Sequence, residues 1–316
     1  MPPRMPLYSS RAATQFIRRL YSTETESLIR VTNIPSPSSG HIRILELNRP
    51  RARNAISTAL LDSLRAEIDH VHAQYGPNGG ETGASSPGVA ASLGPTRALV
   101  LASAVDTCFC AGADLKERRG FTPEETADFL SNLRGTFTAL SNLQIPTISA
   151  ISSLALGGGL ELALSTHFRV LSSNATVGLP ETRLGIIPGA GGTHRLPALI
   201  GLSRARDLIL TGRRVAAPEA YFLGIADRLV EVVPEDERNA SDILPLARKA
   251  TLAEAVRLAQ EICEGGPVAI RAALQAVAWA RQDKENEMYK RVVPTEDRLE
   301  ALKAFQEKRK PVFKGR

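Results

Sequence analysis

The sequence predicts an α/β core followed by a helical tail, and two observations carry that expectation. Short apolar, β-branched runs alternate with longer segments whose apolar residues recur at helical spacing, the alternation that builds a mixed layered fold. From Ser203 onward the helical pattern dominates.

Residues 42–47, 98–101, 147–151, 168–171 and 229–233 read as strands. Residues 57–74 and 122–143 read as helices between them, and 251–264, 267–281 and 294–308 as helices of the tail, the second with Pro267 at its start. The Gly, Ser, Pro and Ala of 76–96 cannot bury enough apolar surface to order themselves, so this stretch is expected to be a flexible surface insertion. Polar residues 235–242 read as a second loop. The expected organisation is therefore a leader over 1–21, a core over 22–234 carrying the insertion, and a helical region over 235–316.

Composition excludes several classes. A hydrophobic content of 43% is ordinary for a folded chain of 316 residues, and no apolar run reaches the roughly 18 residues needed to span a bilayer. The net charge of +6 looks like a nucleic-acid binder's until it is located. Arg4, Arg11, Arg18 and Arg19 lie in the first 23 residues, which hold no Asp or Glu, and this leaves only +2 for the rest. Such an Arg-, Ser- and Ala-rich opening has the composition of a mitochondrial transit peptide, with Arg19-Leu20-Tyr21-Ser22 as its processing site, and predicts residence in the matrix. Three cysteines, an odd number, fit a reducing interior; Cys108 and Cys110 stand too close for a CxxC pair, and all three read as small apolar fillers. His70 and His72 do not share a helix face, so no metal site is expected there.

Three Gly-rich segments carry the chemistry: Cys110-Ala-Gly-Ala-Asp-Leu115, Leu156-Gly-Gly-Gly-Leu-Glu161 and Pro188-Gly-Ala-Gly-Gly-Thr193. His194 occupies the place where GxGxxG requires its last glycine, and no segment ends in GK[ST], so the nucleotide motifs fail. Such segments still present backbone N–H groups where a strand turns into a helix. Two converging junctions make an oxyanion hole for a thioester carbonyl that becomes an enolate, each N–H worth roughly 3 kcal/mol in comparable sites. Acid–base work needs carboxylates beside that hole. Glu161 and Glu181 each adjoin such a junction, although a Glu in a first helical turn ordinarily serves the helix dipole.

Taken together, Phe109-Cys-Ala-Gly-Ala-Asp-Leu-Lys116, Ala155-Leu-Gly-Gly-Gly-Leu-Glu-Leu-Ala163 and residues 180–196 with Pro180-Glu181 at their head resemble the enoyl-CoA hydratase (crotonase) family. The resemblance runs from about residue 42 to 315, with the motifs in the family's order and the two glutamates 20 residues apart as in its hydratases. Within the family the chain is most similar to the branch acting on 3-methylglutaconyl-CoA, in leucine breakdown. The resemblance implies a spiral of ββα turns with a helical C-terminal region that assembles trimers or hexamers. It implies no cofactor, since coenzyme A belongs to the substrate.

It also implies roles for individual residues. The N–H groups of Ala113 and Gly158 would hold the thioester oxygen, Glu161 would act as base on water, and Glu181 would handle the α-carbon proton. Arg53, Ala55, Ala111, Ala113, Asp114, Leu115 and Lys116 would line the CoA site, with Phe305 and Lys308 reaching a CoA on a neighbouring subunit. Carrying both glutamates favours hydration over isomerisation. A general short-chain enoyl-CoA hydratase or isomerase is the alternative, and Arg118, Arg119, Arg183 and Arg195 are the candidates for a distal substrate carboxylate. An RNA-binding relative carries lysines along the helix matching residues 54–74. Here that segment has only Arg65 against Asp62, Glu67 and Asp69, which speaks against RNA binding.

Overall fold

A computed structural model describes residues 27–83, 93–233, 243–279 and 282–316, with only the backbone described over 282–286. The expected leader over 1–21 and loop over 235–242 lie outside the described residues.

Among the described residues ten strands form two sheets. They are β1 (Ile29–Pro35), β2 (His41–Leu47), β3 (Thr96–Ser103), β4 (Cys108–Cys110), β5 (Thr147–Ile151), β6 (Leu154–Leu156), β7 (Phe168–Ser172), β8 (Thr176–Gly178), β9 (Arg214–Ala216) and β10 (Arg228–Val230). The larger sheet runs β1-β2-β3-β5-β7-β10 and the smaller β4-β6-β8-β9. Only β1 and β9 are antiparallel to their neighbours. Consecutive strands of the core therefore alternate between sheets, β3 then β4, β5 then β6, β7 then β8, and a helical segment follows each pair. This is the expected α/β spiral of ββα turns.

The helices are α1 (Thr58–His72), α2 (Leu115–Arg118), α3 (Pro123–Ser141), α4 (Gly158–Ala163), α5 (Gly192–Ile200), α6 (Leu202–Thr211), α7 (Ala217–Leu223), α8 (Ile243–Cys263), α9 (Pro267–Trp279), α10 (Gln282–Val292) and α11 (Glu296–Gln306). Local chemistry explains the boundaries of the two long core helices. Ser57 caps α1 by accepting from Leu60 N–H, and Thr122 with Glu125 forms a reciprocal capping box at α3, with Pro123 at the first position. Their apolar stripes, Leu60, Leu64, Ile68 and Val71 on α1 and Phe129, Leu133, Phe137 and Leu140 on α3, are buried in one cluster with the inner faces of the sheets.

The outer face of the larger sheet is closed by α8. Ala255, Leu258, Ala259 and Cys263 form a second cluster with Ile42, Ile44, Val100, Ile148 and Val170. Burial on both faces is why β3 reads as an unbroken apolar run from Ala98 to Ala102 rather than an alternating one. The first helix of the region expected over 235–316 thus packs on the core sheet.

The insertion expected over 76–96 is also narrower in the structure. Thr82 N–H donates to Gln74 O, Tyr75 pairs with Glu81, and the Glu81 carboxylate meets Arg97 at 2.5 Å, while Thr96 is fully buried at the start of β3. The pair between Glu81 and the buried Arg97 ties down this polar segment, which its own composition does not. The middle, 84–92, lies outside the described residues.

The cysteines sit in the core as read. Burial pushes the Cys108 thiol up to about 11, Cys110 to about 12 and Cys263 to about 11, far from the thiolate form. On α1 the guanidinium of Arg65 is paired with Asp69 at 2.8 Å, and Glu67 is paired with Arg43. No helix among the described residues is long and apolar enough to cross a membrane.

Candidate active site

The site forms where β4 and β6 end side by side. Strand β4 runs into the Ala111-Gly112-Ala113 turn, which Ile56 joins as a parallel bridge to Ala113, and β6 runs into Gly157 and α4. Gly157 has φ +55° and ψ −128°, a conformation closed to residues with a Cβ, and Gly112 has φ +95°. At Gly159 the constraint is space: a Cβ there would lie 2.1 Å from Cys110 O. The glycines let two chain segments approach at van der Waals distance, and this brings the two junctions together.

The neighbouring amides are already engaged. Gly112 O accepts from Ile56 N–H, Asp114 N–H donates to Ile56 O, and Gly157 N–H donates to Gly178 O. The N–H groups of Ala113 and Gly158 have no acceptor among the described residues. They lie close together, since a Cβ built on Gly158 would stand 3.5 Å from Ala113 N. Both residues border a cavity of about 470 Å³.

Glu161 and Glu181 border the same cavity, and their environments differ. Glu161, 2% exposed in the first turn of α4, accepts from Ala190 N–H and Gly192 N–H, both at 2.8 Å on Oε1. Burial raises its carboxyl above the usual range, opposed by those two N–H groups and by Arg195 and Arg134. Glu181 opens the 3-10 turn Glu181–Leu184, and its Oε2 is buried with no hydrogen-bond partner. Burial, with a further contribution from the charge of Glu161, pushes it up to about 7. One carboxylate is fixed in place by two backbone N–H groups that oppose its upward shift, while the other, without a partner on Oε2, titrates near neutrality.

The third Gly-rich segment therefore acts differently from the first two. Its amides hold a carboxylate in place and do not face a ligand oxygen. Sequence reasoning marked the segment as a donor-rich junction but did not connect it to Glu161.

The residues expected at the CoA site divide between two cavities. Ala111, Ala113 and Leu115 border the inner one. Ala55, Asp114, Leu115 and Lys116 border an adjoining outer cavity of about 950 Å³ with Arg49 and Arg51, two cations the sequence reading missed. Asp114 proves largely internal in role: it caps α2 by accepting from Lys116 and Glu117 N–H and pairs with Arg49 at 2.6 Å, and these bonds outweigh burial to hold its carboxyl below the usual range. Arg53 borders neither cavity. Its left-handed backbone, φ +50°, turns the loop and accepts from Ala111 N–H, while Asn54 beside it is fully buried and bonds to Ser103 and Phe109 O. Phe305, 86% exposed, and Lys308 lie at the far end of the tail and border neither cavity of their own chain.

Of the four arginines considered for a distal carboxylate, only Arg118 borders the inner cavity. Arg183 donates to Thr211 O and Arg195 to Ala190 O, and Arg119 is exposed. Arg134 of α3, absent from the sequence reading, is there with Leu130 and Leu133, at helical spacing on one face.

The family model described as enoyl-CoA hydratase/isomerase matches residues 94–316. A methylglutaconyl-CoA hydratase 1, mitochondrial, of Pyricularia oryzae is 67% identical, over 94% of this chain and 90% of its own length. The human methylglutaconyl-CoA hydratase, mitochondrial, is 37% identical over 94% and 81%. Among solved structures, an enoyl-CoA hydratase from Bacillus anthracis superposes with a TM-score of 0.76 at 36% identity, covering 92% of this chain and all of that one. With the glycine junctions, the spiral and the full-length relatives in agreement, the chain belongs to the enoyl-CoA hydratase/isomerase family.

Proposed function

We propose that the protein adds water to, and removes it from, the α,β double bond of enoyl-CoA thioesters, with 3-methylglutaconyl-CoA as its substrate in the mitochondrial matrix. One observation carries the reading: two buried glutamates, Glu161 with its Oε1 fixed by two backbone N–H groups and Glu181 with its Oε2 unpartnered, share a cavity with two converging, unengaged N–H groups. The names of the fungal and human relatives support the branched substrate and the compartment. The Arg-rich opening supports import.

In this mechanism the thioester oxygen accepts from Ala113 and Gly158 N–H, which stabilise the enolate as it forms. Glu161, its Oε1 fixed, takes a proton from water as the oxygen bonds to the β-carbon. Glu181 gives its proton to the α-carbon. The step ends with Glu161 protonated and Glu181 ionised, so the pair still holds one proton. Arg49, Arg51 and Lys116 around the outer cavity supply the positive charge that CoA phosphates require. Assembly into trimers or hexamers would bring Phe305 and Lys308 to a neighbour's CoA.

Because the pair carries one proton at both ends of the reaction, hydration and dehydration have the same pH dependence. Both lose kcat/KM as pH rises through about 7, where the last proton leaves Glu181. A pH profile measured in each direction checks this; activity flat from pH 6 to 9 excludes Glu181 as the acid.

The direct test is hydration by the protein lacking residues 1–21, followed at the enoyl-thioester absorbance with crotonyl-CoA and 3-methylglutaconyl-CoA in parallel. Preference for the branched acid is expected. Preference for crotonyl-CoA makes the protein a general short-chain hydratase, and turnover of neither defeats the proposal.

A further inference from the structure

Most buried or half-buried arginines of this protein meet a carboxylate: Arg43, Arg49, Arg97, Arg169 and Arg228 all do. Arg118 does not. Its guanidinium carbon stands 5.8 Å from the centre of the Phe129 ring, its Nε is buried without a hydrogen-bond partner, and no carboxylate among the described residues pairs with it. A donor in that state carries a desolvation cost that stacking on one ring offsets only in part. An acceptor supplied by a ligand removes the remainder.

The position of Arg118 tells which part of a ligand that is. Helix α2 lies between the two cavities, with Lys116 on the outer one beside Arg49 and Arg51, and Arg118 on the inner one beside Glu161 and Glu181. Phosphates are thus met by one set of cations, and the acyl group by another. Arg134 borders the inner cavity too, and among the described residues its side chain is bonded through Nε to Gly189 O at 2.6 Å and to no carboxylate. Against these two guanidiniums the cavity offers two carboxylates, of which Glu161 is already held by two N–H groups and Glu181 is half protonated near neutrality. The rest of the wall, including Leu130, Leu133 and Ile186, is apolar.

We infer that the inner cavity is built for an acyl chain ending in a carboxylate, that Arg118 pairs with that carboxylate, and that Arg134 is its second cation. The inference rests on the enoyl-thioester reading for the identity of the ligand and goes beyond it in naming the residues that select among acyl groups. It also extends the substrate class, since the handle is the carboxylate and not the methyl branch: unbranched dicarboxylic thioesters should enter as well.

Glutaryl-CoA and pentanoyl-CoA have the same chain length, differ at the terminal group, and have no double bond to hydrate, so their binding is read without turnover. Calorimetry on the full chain should give the dicarboxylic thioester at least about tenfold tighter, the difference one charge-assisted pair makes. Arg118→Met should bring the two within about twofold of each other, and Arg118→Lys should restore part of the difference, as a structural role would not. Arg134→Met should lower the preference less. Equal affinities in the unaltered protein overturn the inference, as does a uniform loss for both thioesters in Arg118→Met; the first of these needs no variant to fold. Hydration of crotonyl-CoA without any preference for glutaryl-CoA defeats this inference alone, whereas a glutaryl preference without hydration of any enoyl-CoA defeats the proposed reaction.

Discussion

Glu181→Gln lowers hydration about 10²- to 10⁴-fold, the range for loss of a positioned acid, and makes the protein more stable above pH 7. The second effect follows from the same burial as the first. With its carboxyl raised from 4.5 to about 7 by burial and by Glu161, the folded chain binds more protons than the unfolded one across that interval. Stability contributed by this group is therefore fully present below about pH 4.5 and is lost as pH rises through about 7. Gln resembles the protonated acid and has no ionised form, so the variant escapes the loss. Its melting temperature should exceed that of the unaltered protein at pH 8 and match it near pH 4.5. Glu161→Gln, by contrast, is expected to lose activity to a similar degree with no such gain, because an amide placed at Oε1 can turn a donor toward the Ala190 and Gly192 N–H groups. A Glu181→Gln variant with near-native turnover would falsify the assignment.

Gly159→Ala should damage fold and catalysis together. The added methyl would stand 2.1 Å from Cys110 O, which is backbone in a buried strand and has no side-chain freedom to yield. Overpacking of this kind costs about 1–3 kcal/mol, and here relief requires α4 to move away from β4. That motion carries the Gly158 N–H away from the Ala113 N–H, and a displacement of about 1 Å at such a site is enough for a loss of about 10²-fold in turnover. Gly80→Ala, where an added Cβ meets nothing within 4 Å, is the control and should stay within about 0.5 kcal/mol. Thermal melts of the two variants beside kcat for crotonyl-CoA decide the matter; a Gly159→Ala protein with normal melting and turnover means the two junctions are not in rigid register.

Much of the scaffold was legible because its signals are long. The apolar stripes of α1 and α3 repeat over several turns, and β5 was placed at its observed bounds because both its faces are buried. The smaller sheet was not legible, since β4, β6, β8 and β9 are three residues each, too short for any period to register. Those short strands nevertheless lead into the site. Strand β1 was missed because its exposed positions, Arg30, Val31 and Thr32, break the alternation of an edge strand. Helix α8 was read eight residues short, Pro245 in its first turn having the look of loop.

At the site, Glu161, Glu181, Ala113 and Gly158 were placed by motif, and the structure brings all four to one cavity. Three-dimensional pairings were beyond reach. Nothing along the chain links Gly192 N–H to a carboxylate 31 residues away, or separates Arg134 from the ordinary exposed cations of a surface helix. Asp114 looked like a ligand contact because it lies inside a motif, and its bonds are to Arg49 and to the start of α2.

The closing of the larger sheet by α8 bears on how the chain reaches its native state. Strands β2, β3 and β5 are complete once residue 151 has been made, yet Ile42, Val100 and Ile148 find their cover only in Ala255 to Cys263, more than a hundred residues later. Until then an apolar parallel sheet lies open on one side. Long-range closure of this kind is slow and prone to aggregation, so a chain cut before residue 243 should collect in the insoluble fraction even though every residue of the catalytic cavity lies upstream of the cut.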